Sequence, residues 1–334
     1  MEGLQDIKDL LSMPKVISLI AHRNPDGDAI GSCLALAKYL DKFGHTTHVV
    51  MPSEHPSLFT YLEGVDDIIV YDLKRDLAKE KLENADIIFC LDFNALDRID
   101  TLGPTIQFAK GKKIMIDHHL DPEPFTDYQL SDTKASSTCE LVYKFIEMLD
   151  GKDKIDVAMG ECILTGIITD TGSFKYATTP DVYRIASELK LIGVDDYKLQ
   201  NFIFNSLTEK QLRLLGHAIN NRMEIMKEYG VGIVVLNKKD FEDYQISRGD
   251  TEGIVNYLLM IKDVQVAVFF RQQPTIIKIS FRSKGDVSVQ ELARDHFRGG
   301  GHKNASGGAA YGGLGKVINN FKEQVPKYFS KIEI

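Results

Sequence analysis

The sequence predicts an α/β protein of two domains: an N-terminal parallel sheet with helices on both faces, and a smaller C-terminal α/β unit. Three observations carry this. Short segments rich in Val and Ile alternate with longer amphipathic stretches up to Asp117, the pattern of parallel strands joined by crossover helices. A charged helical stretch from about Asp195 to Glu228 then interrupts the strand signal, which resumes beyond it. Finally, 334 residues of which 43% are hydrophobic can fill two cores.

Taken in order, "KVISLIA", "THVVM", "DIIVYD", "DIIFCLD" and "KKIMID" read as strands bounded by turn residues, with "AIGSCLALAKYLDKFG" as an amphipathic helix between the first two. From Ser136 to Gly193, "SSTCELVYKFIEMLD", "DVAMGECILTGIITD" and "PDVYRIASELKLIG" all show helical spacing. After the charged stretch come three strands, "GVGIVVLN", "VQVAVFFRQ" and "IIKISFRS". A helix-like "SVQELARDHF", a glycine cluster and a last amphipathic segment, "LGKVINNFKEQVPKYF", complete the chain. The expected division is residues 1–194, a helical linker over 195–228, and residues 229–334. There is no internal repeat.

Composition excludes several classes. A formal net charge of −8 argues against gripping long nucleic acid by counterion release, while leaving room for a short anionic ligand where positive charge is local. No apolar run approaches the roughly 20 residues of a membrane span, and the start, "MEGLQDIKDLLSMPK", lacks a secretory pattern, so a cytoplasmic protein is expected. Cys33, Cys90, Cys139 and Cys162 lie far apart and read as reduced core residues.

The chemistry is written at strand ends. "KVISLIA" runs into "HRNPDGD", where Pro25 and Gly27 keep His22, Asp26 and Asp28 on a loop before a helix starting near Ala29. "DIIFCLD" ends at Asp92, and "KKIMID" runs into Asp117, His118 and His119. In an open parallel sheet the carboxyl ends of strands form the ligand crevice. Each aspartate alone has a plain reading as a cap or turn; the coincidence at three strands is what points to a site. Asp170 ends a buried apolar helix, where a carboxylate opposes the helix dipole and calls for a positive partner. Four carboxylates and two imidazoles in one cleft need compensation, and two divalent cations would supply it. Oxygen and nitrogen ligands without thiolate suit manganese best, and Asp92, central in the set, is the expected bridging ligand.

The four stretches "HRNPDGD", "LDFNALDR", "DHH" and "TDTGS", in this order, resemble the four motifs of the DHH phosphoesterase superfamily. "RGGGHKNASGG", residues 298–308, resembles the signature of the DHHA1 substrate-binding domain, so the likeness covers nearly the whole chain. Phe93 and Asn94 depart from the small hydroxyl residues of many relatives after the bridging aspartate. The resemblance implies one metal on His22, Asp26 and Asp92 and a second on Asp28, Asp92, His118 and Asp170, with His119 facing the substrate phosphate. Asp117 is expected to end the strand, with orientation of a histidine as the alternative.

For the second domain, seven basic residues against three acidic ones between Val264 and Lys303 make a local positive patch. Arg282, Gly300, Gly301, His302 and Asn304 are its expected phosphate contacts, and Arg98 a further one from the first domain. The most similar branch hydrolyses very short RNA to mononucleotides and removes the 3′-phosphate of phosphoadenosine phosphate. Short single-stranded RNA and nucleotides are therefore the expected partners, and a homodimer is expected by family analogy only. The rival readings are an inorganic pyrophosphatase or polyphosphatase using the same metals, and a nucleotide-binding regulator without catalysis.

Overall fold

The computed structural model describes residues 1–247 and 249–331. Two compact units divide at Ser206 and Leu207.

The first unit contains, in order, α1 (Leu4–Leu10), β1 (Val16–Ile20), α2 (Gly27–Asp41), β2 (Thr46–Met51), β3 (Ile69–Val70), α3 (Arg75–Glu83) and β4 (Ile87–Leu91). It continues with α4 (Gly103–Phe108), β5 (Lys112–Asp117), β6 (Tyr128–Ser131), α5 (Thr138–Met148), α6 (Val157–Asp170), α7 (Pro180–Leu191) and α8 (Asp196–Phe204). Its strands form one parallel sheet in the order β3-β2-β1-β4-β5-β6. Alternation along each strand sorts side chains to two cores. Ile17, Leu19, Phe89, Leu91, Ile114 and Ile116 pack with α2, α5 and α6. Ile20, Val50, Ile88 and Cys90 face the opposite way and pack with α3 and α4. Both faces are thus covered, which is why these strands are almost continuously apolar. The strand order reverses between β1 and β4, and a crevice opens at such a reversal, beyond the carboxyl ends of the strands.

The second unit contains α9 (Glu209–Arg222), β7 (Met223–Met226), β8 (Val231–Leu236), α10 (Lys238–Asp243), α11 (Ile254–Leu258), β9 (Val266–Gln272), β10 (Ile277–Ser283), α12 (Gln290–Phe297), β11 (Gly300–His302), β12 (Ala305–Ala310) and α13 (Leu314–Tyr328). Its sheet runs β11-β12-β10-β9-β8-β7, antiparallel except for the parallel pair β8 and β9. One face packs on α12 and α13, the other on α9 and α11.

Residues 195–228, read from sequence as a connecting stretch without strands, are divided between the units: α8 belongs to the first, α9 and β7 to the second. Two further strands were not anticipated within the glycine cluster, β11 and β12. "ASGGAA" lacks the branched and aromatic side chains that mark strands, and only its pairing with β10 makes it one. All four cysteines are buried and free, and no helix among the described residues is long and apolar enough to cross a membrane.

Candidate metal centre

The site is built from four segment ends of the first unit. His22 follows β1, Asp92 follows β4, and His118 and His119 follow β5. Asp26 caps α2: its Oδ1 accepts from the N–H groups of Asp28 (3.0 Å) and Ala29 (3.1 Å), leaving Oδ2 directed toward His22. Asp170 is the last residue of α6. Asp92 has a φ of 63°, a left-handed conformation that Asp tolerates better than most residues and that turns its carboxylate out of the strand line.

All six sequence-predicted ligands converge. His22 Nε2 lies 3.3 Å from Asp92 Oδ2 and 3.9 Å from Asp26 Oδ2. His118 Nε2 lies 3.4 Å from Asp170 Oδ2, 3.6 Å from Asp92 Oδ1 and 3.9 Å from Asp28 Oδ2. His22, Asp26 and Asp92 make one group whose ligand atoms lie within 4.8 Å of one another, and Asp28, His118 and Asp170 make a second. Asp92 presents one oxygen toward each group. The basic side chain beside Asp170 at its helix end is His118, with Nε2 3.4 Å from Oδ2.

Charges in this site are poorly balanced. Burial raises the Asp28 carboxyl well above the ordinary range, and the charges of Asp92 and Asp26 add to it, against opposing N–H groups of Cys139 and Thr138. Asp170 is raised likewise, by burial and then by Asp28, Asp26 and Asp92. Burial also works against ionisation of Asp92, but the hydrogen bond and charge of His22 outweigh it and hold the group well below the usual carboxylate range. For His22, burial disfavours the imidazolium, and Asp92 and Asp26 outweigh it, raising the group to about 9. Four carboxylates thus share the site with two imidazoles, of which His22 is held toward its protonated form. Their oxygens and the imidazole nitrogens, with no thiolate, form a donor set that fits hard to borderline divalent cations.

Two supporting features go beyond the leading sequence reading. The first is the start of α5. Ser137 caps that helix, and the N–H groups of Thr138 and Cys139 donate to the two Asp28 oxygens at 2.6 and 2.8 Å. The Thr138 hydroxyl donates to Asp92 Oδ1 at 3.1 Å. The run "SST" before an apolar helix is a cap signal, and it could have directed attention to these unpaired N–H groups. The second feature corrects the expected role of Asp117. Rather than merely ending β5, it is fully buried and clamps His119: Oδ1 meets Nδ1 at 2.7 Å and Oδ2 accepts the His119 N–H at 3.1 Å. Arg98 Nη2 lies 3.2 Å from His119 Nε2. A guanidinium only donates, so Nε2 is the acceptor and the ring proton sits on Nδ1, toward Asp117. His119 Nδ1 is also 3.8 Å from Asp92 Oδ1.

In the second unit, His302 and Gly300 are exposed on β11. A Cβ at Gly301, whose φ is 136°, would come within 2.6 Å of the Ala305 carbonyl oxygen, so this hairpin closes only with glycine there. The Asn304 amide donates to Ser283 Oγ, Gly285 O and Val287 O, bracing the loop after β10. Arg282 Nη1 donates to the Phe281 carbonyl.

Residues 16–167 match the DHH family, N-terminal domain, and residues 229–331 match the DHHA1 domain. The bifunctional oligoribonuclease and PAP phosphatase NrnA of Bacillus subtilis is 31% identical over 310 residues, 90% of this chain and 91% of that protein. Its counterpart in Thermus thermophilus is 29% identical, over 89% of this chain and 84% of its own. A crystal structure described as an exopolyphosphatase-related protein from Bacteroides fragilis superposes with a TM-score of 0.96 at 38% identity, covering 98% of this chain and 96% of that one. With both domains matched and the ligand residues gathered at the strand-order reversal, this chain belongs to the DHH/DHHA1 phosphoesterase superfamily.

Proposed function

We propose that this protein is a two-metal phosphoesterase that hydrolyses very short RNA to mononucleotides and dephosphorylates 3′-phosphoadenosine 5′-phosphate. The observation that carries the reading is the complete, converging set of His22, Asp26, Asp28, Asp92, His118 and Asp170 in a chain similar to NrnA proteins over nine-tenths of its length. His22, Asp26 and Asp92 would hold one divalent ion and Asp28, Asp92, His118 and Asp170 the other, with Mn2+ the best match to the donors. When bound, such ions polarise phosphoryl oxygens and lower the pKa of water.

The chain's own groups do the rest. Asp92 fixes the spacing of the two ligand groups because each of its oxygens serves one. Asp117 keeps the His119 proton on Nδ1 and the ring orientation fixed. Arg98 brings a guanidinium, without a carboxylate partner among the described residues, beside that ring to meet phosphate charge. In the second unit, Arg282, Gly300, Gly301, His302 and Asn304 are assigned to the substrate's remaining phosphate and sugar. The protein is assigned to the cytoplasm, and a homodimer is the assembly expected of it.

Inorganic polyphosphate is the second reading, favoured by the description of the Bacteroides fragilis relative. A substrate panel with Mn2+ separates the two: a dinucleotide, a pentanucleotide, phosphoadenosine phosphate, pyrophosphate and polyphosphate. The proposal expects nucleotide release from the first three. Faster turnover of pyrophosphate or polyphosphate than of the dinucleotide would move the chain to the second reading.

A further inference from the structure

In the second unit, paired residues of an antiparallel ladder share a face, and this places Arg271, Lys278, Ser280, Arg282 and His302 on one side of the sheet. On that side Ala267 and Phe269 of β9 are buried in the core formed with α9 and α11. Beyond that cover, Lys278, Gly307, Gly300 and His302 are exposed and Ser280 and Arg282 half-buried, so the apolar face continues as a polar shelf.

Arg271 stands at its inner edge. The guanidinium lies 5.4 Å from the centre of the Phe269 ring, with Nη1 donating to Thr251 Oγ1 at 3.2 Å and Nη2 to Ser280 Oγ at 3.1 Å. Both partners are neutral hydroxyls. Nε is buried and meets no acceptor among the described residues. Neither Arg271 nor Arg282 has a carboxylate within 4.0 Å among those residues, whereas Arg184, Arg213, Arg222 and Arg294 all do. Half-buried guanidiniums without a counter-charge are costly to hold. Burial pulls the pKa of both down, with Glu252 at longer range opposing it and, for Arg282, Arg271 adding to it.

We propose that Arg271 is a phosphate-binding residue: together with Arg282 it receives the terminal phosphate of a short nucleotide substrate. This rests on the phosphoesterase reading above and adds to it a residue and a preference. A terminal phosphate monoester carries up to two negative charges near neutral pH, matching two guanidiniums, whereas an internal diester carries one. Thr251 and Ser280 fix the Arg271 plane in advance, so less side-chain freedom is lost when the anion arrives.

The test compares 5′-phosphorylated diadenylate with unphosphorylated diadenylate in the full chain with Mn2+. Arg271→Met should lower the ratio of their kcat/KM values about tenfold, and Arg271→Lys should recover part of it. Independently, in chelator, adenosine 5′-monophosphate should raise the Tm of the wild-type protein more than adenosine does, and Arg271→Met should lose that difference. If Arg271→Met lowers Tm but leaves both the ratio and the nucleotide-dependent shift at wild-type values, the residue only packs on Phe269 and the inference fails. If the shift depends on Arg271 while neither diadenylate is cleaved, the inference stands and the proposed activity fails.

Discussion

The Thr138 hydroxyl donates a 3.1 Å hydrogen bond to Asp92 Oδ1 while the backbone N–H of the same residue donates to Asp28 Oδ2 at 2.6 Å. One residue at the start of α5 therefore sets the position of carboxylates in both ligand groups. Thr138→Val keeps the shape and the backbone bond but removes the hydroxyl. Supports of this kind are worth 10- to 100-fold in metal affinity, so Mn2+ binding to the metal-free protein, followed by electron paramagnetic resonance, should weaken about tenfold. Thr138→Ser should restore it. Unchanged affinity in the valine variant would show that Asp92 is held by its strand end alone.

Gly166 on α6 faces the same carboxylate. A Cβ there would stand 2.5 Å from Asp28 Oδ1 and closer still to Cys139 Sγ. Alanine would gain about 1 kcal/mol in helix propensity, but crowding in a packed core costs about 1–3 kcal/mol, and fully buried Asp28 has nowhere to move. Gly166→Ala should thus lower the urea midpoint and weaken Mn2+ binding together. A raised midpoint would mean that α2 and α6 separate easily.

Much of this centre was legible because strand ends carry it. His22, Asp92 and His118 each terminate an apolar run, and a parallel sheet brings such termini to one edge. Asp170 was legible for a different reason, since a carboxylate at a helix C-terminus demands a partner. The Thr138 and Cys139 N–H groups were hidden because backbone donors have no sequence identity; only a helix start marks them. Arg98 beside His119 depends on a three-dimensional turn through residues 93–98 that periodicity does not encode. Arg271 looked like one of seven basic residues, and the register of β9 on β10 was needed to show that it shares a face with Arg282.

Crowded carboxylates in the candidate metal centre cost stability that a functional site tolerates. Asp28, Asp92 and Asp170 all approach His118 Nε2 within 3.9 Å. Without metal, removing one negative charge relieves repulsion. Asp170→Asn should raise Tm in chelator by roughly 3–5 °C, while the further rise on adding Mn2+ should shrink or vanish. Scanning calorimetry with and without Mn2+ reads both effects, and a lower Tm in chelator would contradict the charge argument.

Asp240 is a buried carboxylate of the second unit whose ion pairs make a pH-dependent contribution to stability. It is fully buried and receives Arg222 Nη2 at 2.8 Å, His217 Nε2 at 2.8 Å and the Asn237 N–H at 2.9 Å. Burial disfavours its ionised form, but the Arg222 hydrogen bond, the Asn237 N–H and His217 outweigh this and lower its pKa. Because the folded value lies below the unfolded one of about 4, its contribution is fully present above pH 4 and is lost as pH falls through the depressed folded value. Asp240→Asn should cost about 2 kcal/mol at pH 7, since it leaves Arg222 without its partner. The loss should shrink steadily below pH 4, where the wild-type carboxylate is itself protonated. Urea denaturation at pH 7, 5, 4 and 3, followed by tyrosine fluorescence, measures the difference, and a wild-type-to-variant gap that widens toward pH 3 would refute the assignment.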